Sequence, residues 1–260
     1  MSIFFLFNLQ NLIDNLQEIL VSYFYLARNL IMENKTGKVK NKKEWYRNEK
    51  WDEDEKKRFF QKLKRCRIKS RYICDKAIFL YNTKRGKQVK DAIDLWNLAF
   101  KEKWVEGNSG IYLYMARCYS FLNEKAKALE YFEKSLTAQR EDAHVIGTIW
   151  SNYAEYIITN GLKDMYGKAI DMLEEMKERR GFVFPMDVFV YYGLRAVIFN
   201  EIGKQEEAVK EAALALAAAG LKHSGFTYHP QTGVRKEGEG KWLLEKLNKI
   251  SNYSEVLNLC

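Results

Sequence analysis

Apolar residues recur at helical spacing from the start of the chain. Leu9, Leu12, Ile13, Leu16, Ile19, Leu20, Tyr23, Phe24, Ala27, Leu30 and Ile31 follow an i, i+3, i+4 rhythm, which predicts an amphipathic helix. Its polar face carries Asp14 and Glu18 and no Lys/Arg cluster, so adsorption to anionic lipid is not expected. Asn8, Asp14, Asn15, Glu18 and Arg28 interrupt the run, which excludes a membrane span here. No Lys or Arg precedes Arg28, so the positive n-region of an export signal is missing. The stripe predicts docking on the rest of the chain, or self-association through residues 1–31.

A longer period governs most of the chain beyond residue 72. Tyr112, Met115, Ala116 and Tyr119 share one helix face; a turn comes at Asn123; then Ala128, Phe132 and Ser135 share a face of a second helix. The same order returns as Trp150, Tyr153, Ala154 and Ile157, Gly161, then Ala169, Leu173 and Met176. It returns again from Tyr192 as Ala196, Phe199, Gly203, Ala208, Ala212 and Ala215. A weaker copy comes first, with Ile73, Ala77 and Leu80, Gly86 as its turn, then Ala92, Trp96 and Ala99. Ala92, Ala128, Ala169 and Ala208 stand 36, 41 and 39 residues apart. A small residue on each helix lets two antiparallel helices approach closely, and repetition at this period predicts stacked helix pairs with an all-α fold.

Two segments should close the array. Asp52, Glu53, Asp54 and Glu55 precede a helix expected over residues 52–71, where the dipole favours acids in the first turn. Phe59, Leu63, Cys66 and Ile73 form its buried stripe. At the other end Gly220 reads as the glycine that follows the last repeat helix. Phe226, Tyr228, His229 and Pro230 then read as a structural cap. Phe226 is expected to pack on the last repeat and His229 to make a side-chain hydrogen bond. A final helix carries Trp242, Leu243, Leu244, Leu247 and Ile250.

These repeats are similar to the tetratricopeptide repeat over about residues 73 to 219. That family's pattern has an aromatic, a small residue eight places in, a glycine turn and a contact alanine on the second helix. The resemblance implies a tetratricopeptide-like right-handed superhelix of about four helix pairs with N- and C-terminal capping helices. The turns here are lengthened and the proline between repeats is missing. "EWYRNEKWDEDEKKRFFQKLKRCRIKSRYICDKA", "FVFPMDVFVYYGLRA" and "HSGFTYHPQTG", in that order, resemble a group of uncharacterised bacterial tetratricopeptide-repeat proteins. That narrower likeness implies no activity and no functional residues. The expected organisation is an extension helix and linker (1–43), a basic capping helix (44–72), the repeat array (73–220) and a C-terminal cap loop and helix (221–260).

In such an array the first helix of each pair lines an extended groove. Leu113, Arg117, Ser120, Ser151, Glu155, Ile158, Gly193, Val197 and Asn200 are expected to face it. That surface is mixed and lightly charged, and suits a short peptide or protein segment. It lacks the lysine, asparagine and arginine set with which some tetratricopeptide proteins hold a chaperone's terminal carboxylate, so that ligand is not expected.

Charge changes the picture in one place. Of a net +9, residues 34–90 carry 21 Lys and Arg against 7 Asp and Glu, or +14, which leaves 22 against 27, or −5, elsewhere. Lys57, Lys64, Arg65, Arg67 and Arg71 are the expected basic patch, with Trp45, Tyr46 and Trp51 just upstream. Basic residues among aromatics suit single-stranded nucleic acid, while the plainer reading is a solvated face with aromatics that staple a capping helix.

Enzyme signatures are missing: no phosphate-binding glycine loop, nucleophile elbow or metalloprotease helix motif occurs. No catalytic residue, metal site or cofactor is therefore expected. His144 reads as a helix-start residue, and His223 and His229 as structural. Cys66, Cys74, Cys118 and Cys260 show no paired metal spacing and read as reduced thiols of a cytoplasmic protein. The expected function is a non-enzymatic scaffold or adaptor that binds a protein or peptide. The alternatives are a nucleic-acid-associated adaptor using residues 52–71, or an immunity or regulatory protein that binds a toxin partner.

Overall fold

A computed structural model describes residues 44–101, 108–141 and 147–257. The extension helix, His144 and Cys260 therefore lie outside the described residues. By backbone proximity the chain divides into residues 1–47 and residues 48–260. Within the first unit the Tyr46 hydroxyl donates to Glu44 at 3.0 Å, and Arg47 pairs with the same carboxylate at 2.7 Å.

The second unit holds every described helix, ten in all with one short 3-10 turn, and no strand occurs among the described residues. The first, α1 (Glu53–Leu63), starts where Asp52 caps it by accepting the Glu55 N–H at 2.8 Å. Its first turn is acidic, as the helix dipole favours. Phe59 and Leu63 are buried, and Trp51 meets Phe59 edge-to-face at 5.4 Å. One long basic helix over 52–71 does not form. It ends at Leu63, the chain turns through Arg65 and Cys66, and α2 begins at Lys69. Ile73 therefore belongs to α2, and Cys66 is only half-buried.

Four helix pairs come next: α2 (Lys69–Asn82) with α3 (Gly86–Ala99), α4 (Asn108–Phe121) with α5 (Lys125–Glu141), α6 (Ile149–Thr159) with α7 (Tyr166–Arg180), and α8 (Pro185–Glu201) with α9 (Gln205–Gly220). Ala77, Ala116, Ala154 and Ala196 on the first helices, and Ala92, Ala128, Ala169 and Ala208 on the second, are fully buried. A methyl group at each crossing leaves room for the partner backbone, and the aromatics fill the space beside it. First helices also touch in sequence, α2 to α4 to α6 to α8, and each second helix touches the next first helix.

Each turn inside a pair places one residue in the left-handed region, two positions before the next helical segment. These residues are Lys84, Asn123, Gly161 and Gly203, with φ of 52°, 59°, 64° and 83°. Gly86, expected as a turn glycine, instead opens α3, and Lys84 takes the strained position. Gly220 is likewise the last residue of α9, and extended Leu221 comes after it.

Ion pairs join helices both between and within the pairs. Arg140 on α5 grips Glu175 on α7 at 2.6 Å. Arg195 on α8 pairs with Glu211 on α9 at 3.0 Å and with Glu174 on α7. Pro185 opens α8, where Asp187 accepts the Phe184 N–H at 3.0 Å. The loop after α9 returns to this helix start. Gly233 accepts the Met186 N–H at 2.9 Å, so close that a Cβ there would overlap the Phe184 ring. Finally α10 (Lys241–Leu257) packs on α8 and α9.

Candidate binding cleft

The residues expected to face a groove divide three ways. Leu113, Ile158, Gly193 and Val197 are buried. For Gly193 the cause is α10: a Cβ at that position would stand 2.9 Å from Leu243 and 3.3 Å from Leu247. The C-terminal helix thus occupies the face of α8 that the repeat pattern leaves for a ligand. Ser151 and Asn200 are half-buried and lie apart from the open cleft, with the Ser151 hydroxyl donating to the Thr148 carbonyl at 3.1 Å. Arg117, Ser120 and Glu155 are the three that the fold brings together.

They line a cleft of about 330 Å³ between the first helices of successive pairs. Tyr81 and Lys84 come from the end of α2 and its turn, Phe121 from the end of α4, and Phe132 from α5. Asn152, Tyr156 and Thr159 join Glu155 on α6. Repeat periodicity alone missed Lys84, since it assigns ligand contacts to helix faces and Lys84 sits in a turn. Its left-handed turn position carries a lysine where the later pairs carry asparagine or glycine, so the sequence pattern does not mark it.

Two cations line this cleft, Lys84 and Arg117. The Lys84 ammonium lies 3.3 Å from the centre of the Tyr81 ring and 5.8 Å from that of Phe121. Arg117 lies 5.6 Å from the Tyr114 ring and donates to the Asn152 side-chain oxygen, while the Asn152 amide donates to the Thr148 carbonyl at 2.6 Å. Among the described residues neither cation has a carboxylate within ion-pair distance. Arg140, Arg180 and Arg195 all do. The one acid of the cleft, Glu155, accepts the Trp242 indole N–H at 2.7 Å. Tyr156 is 5% exposed, and its hydroxyl has no hydrogen-bond partner among the described residues. Burial raises its pKa and holds it neutral.

The expected basic patch is a surface. Lys57, Lys64, Arg65, Arg67 and Arg71 are all exposed, and none has an ion pair among the described residues. The expected cap holds together only in part. Phe226 is half-buried against Phe184 with ring centres 5.6 Å apart, and Pro230 is half-buried. Tyr228 is 90% exposed, and His229 is exposed and tied in through its backbone. The side-chain bond expected of His229 is made by His223, whose Nδ1 accepts the Gly225 N–H at 3.0 Å.

Burial pushes the Cys74 thiol up to about 11 and the Cys118 thiol up to about 12, so neither is a thiolate at neutral pH. Among the described residues no group of three or more His, Cys, Asp or Glu is arranged to hold a metal ion, and no helix is long and apolar enough to cross a membrane. Compared with family models, with curated proteins and with solved structures, the chain matches none.

Proposed function

We propose that this chain is a tetratricopeptide-like scaffold: a right-handed superhelix of four helix pairs that binds a protein or peptide segment, catalyses no reaction, and works in the cytoplasm. The observation that carries this reading is the cleft across α2, α4 and α6. It combines aromatic rings with two cations that the array itself leaves without carboxylates. Stacked pairs supply such a surface because each buries its contact face against the next and leaves the first-helix side open. The test is purification of the tagged full chain from its own cells with quantitation of what accompanies it. One protein in fixed ratio, lost from an Arg117→Glu variant that still folds, supports the reading. A chain that carries no protein in fixed ratio counts against it.

A second reading has its own observation. Five exposed cations on α1, the turn after it and the start of α2 form no ion pair among the described residues, which suits a polyanion. Binding of a single-stranded oligonucleotide that weakens steeply with salt, and is lost in a Lys64→Glu, Arg67→Glu, Arg71→Glu triple variant, favours a nucleic-acid-associated adaptor.

A further inference from the structure

We infer that the cleft between α2, α4 and α6 recognises an acidic side chain within an extended peptide, with the ligand's carboxylate held between Lys84 and Arg117. This deepens the scaffold reading and rests on it. Charge complementarity points to an acid. In the later helix pairs three arginines face carboxylates: Arg140 has Glu175, Arg180 has Asp187, and Arg195 has Glu174 and Glu211. The two cations of the cleft face aromatic rings and an amide instead. A cation on a ring keeps its charge and most of its donors, and a carboxylate can still reach it.

The nearest acid leaves that role open. Glu155 holds the Trp242 indole through one oxygen, so it serves the docking of α10. Its other oxygen can accept a backbone N–H from the occupant, which a peptide has and an inorganic anion lacks. Ser120 supplies a hydroxyl able to meet a peptide carbonyl. Phe121, 43% exposed, and Tyr81 offer apolar surface for the side chain next to the acid. Acceptor, donor, cations and rings together match a peptide with one carboxylate beside an apolar residue. Asn152, with its oxygen taken by Arg117 and its amide by Thr148, does not add to the clamp. A side-chain carboxylate and a chain terminus present the same two oxygens, so peptides amidated at the C-terminus are what separate the two.

The test uses the full chain and a displayed library of random peptides amidated at the C-terminus. The inference expects enrichment of peptides with Asp or Glu beside an apolar residue. A fluorescent enriched peptide should lose affinity about tenfold or more when its acid becomes the amide, and by a similar factor in Lys84→Asn or Arg117→Gln. Asparagine tolerates the left-handed backbone at residue 84, and far-UV circular dichroism melts verify that both variants fold. Affinity should also fall as salt rises. Enrichment without acids, or binding unchanged in both variants, overturns this inference and leaves the scaffold reading standing. Binding restored only by a free terminal carboxylate also overturns it. No enrichment at all overturns it and counts against the scaffold reading too.

Discussion

The Trp242 indole N–H donates to the Glu155 carboxylate at 2.7 Å, across 87 residues of chain. One residue opens the last helix and the other lines the cleft, so the docking of α10 reaches the surface assigned to the ligand. Trp242→Phe keeps most of the ring's packing and removes the donor. A hydrogen bond to a charged group contributes about 1.5–3 kcal/mol, and less when half-exposed. The expected cost is about 1 kcal/mol, read as a melting temperature lower by about 2–4 °C. The change should be smaller in a Glu155→Gln background. Equal losses in both backgrounds would show that the bond adds nothing.

Gly193→Ala tests how closely α10 lies on α8. In an open helix this substitution stabilises by about 1 kcal/mol. Here a Cβ would stand 2.9 Å from the Leu243 methyl and 3.2 Å from its branch carbon, and overpacking costs about 1–3 kcal/mol. The clash should win, with a lower urea midpoint and recovery when Leu243→Ala is added. A stabilised single variant would mean that α10 yields easily and the groove can open.

The helix pairs were legible because a small residue at each crossing recurs at a fixed period, and Ala77, Ala116, Ala154 and Ala196 are fully buried. The groove was less so. Gly193 and Val197 lie on the expected face, but the periodicity of one segment does not say which other segment covers it, and α10 does. Lys84 escaped notice because a left-handed lysine leaves no trace in a pattern read for glycine. The single basic helix failed at residues 64–68, where no proline or glycine marks the break.

The C-terminal loop carries a prediction with two unequal halves. Phe226 is half-buried on Phe184, so Phe226→Ala should cost about 1–2 kcal/mol, less than truncation of a core ring. His229 is exposed, so His229→Ala should stay within about 0.5 kcal/mol. Thermal melts decide both. A large loss from His229→Ala would place a partner on its imidazole.

Lys64, Arg67 and Arg71 are exposed and form no ion pair among the described residues. Changing all three to glutamate should therefore leave the fold nearly as stable, at about 0.5 kcal/mol or less each. Chemical denaturation measures this. A markedly lower midpoint would mean that these side chains serve packing, and would remove the ground for reading them as a binding surface.

Lys76 gives the pH prediction. It is fully buried on α2, and its ammonium donates to the Asn48 carbonyl and side-chain oxygen, both at 2.8 Å, and to the Lys50 carbonyl at 2.7 Å. The Trp51 ring lies 5.1 Å away. Burial pulls its pKa down to about 8 from 10.5, against the opposing pull of Glu55 and Asp52. Between those values the unfolded chain binds the proton more readily than the folded one, so this group makes stability rise with pH across that window. Cys74 and Cys118 act oppositely: their raised values mean the unfolded chain loses protons first, and stability falls above about 9. Comparing Lys76→Met with the parent cancels the thiols. At neutral pH the variant should be less stable by about 1–3 kcal/mol, because three acceptors lose their donor. The gap should widen by a further 1–3 kcal/mol or so toward pH 10. Urea unfolding at the two pH values measures it. A gap that stays constant would mean that Lys76 keeps its proton throughout and that its carbonyl cage outweighs its burial.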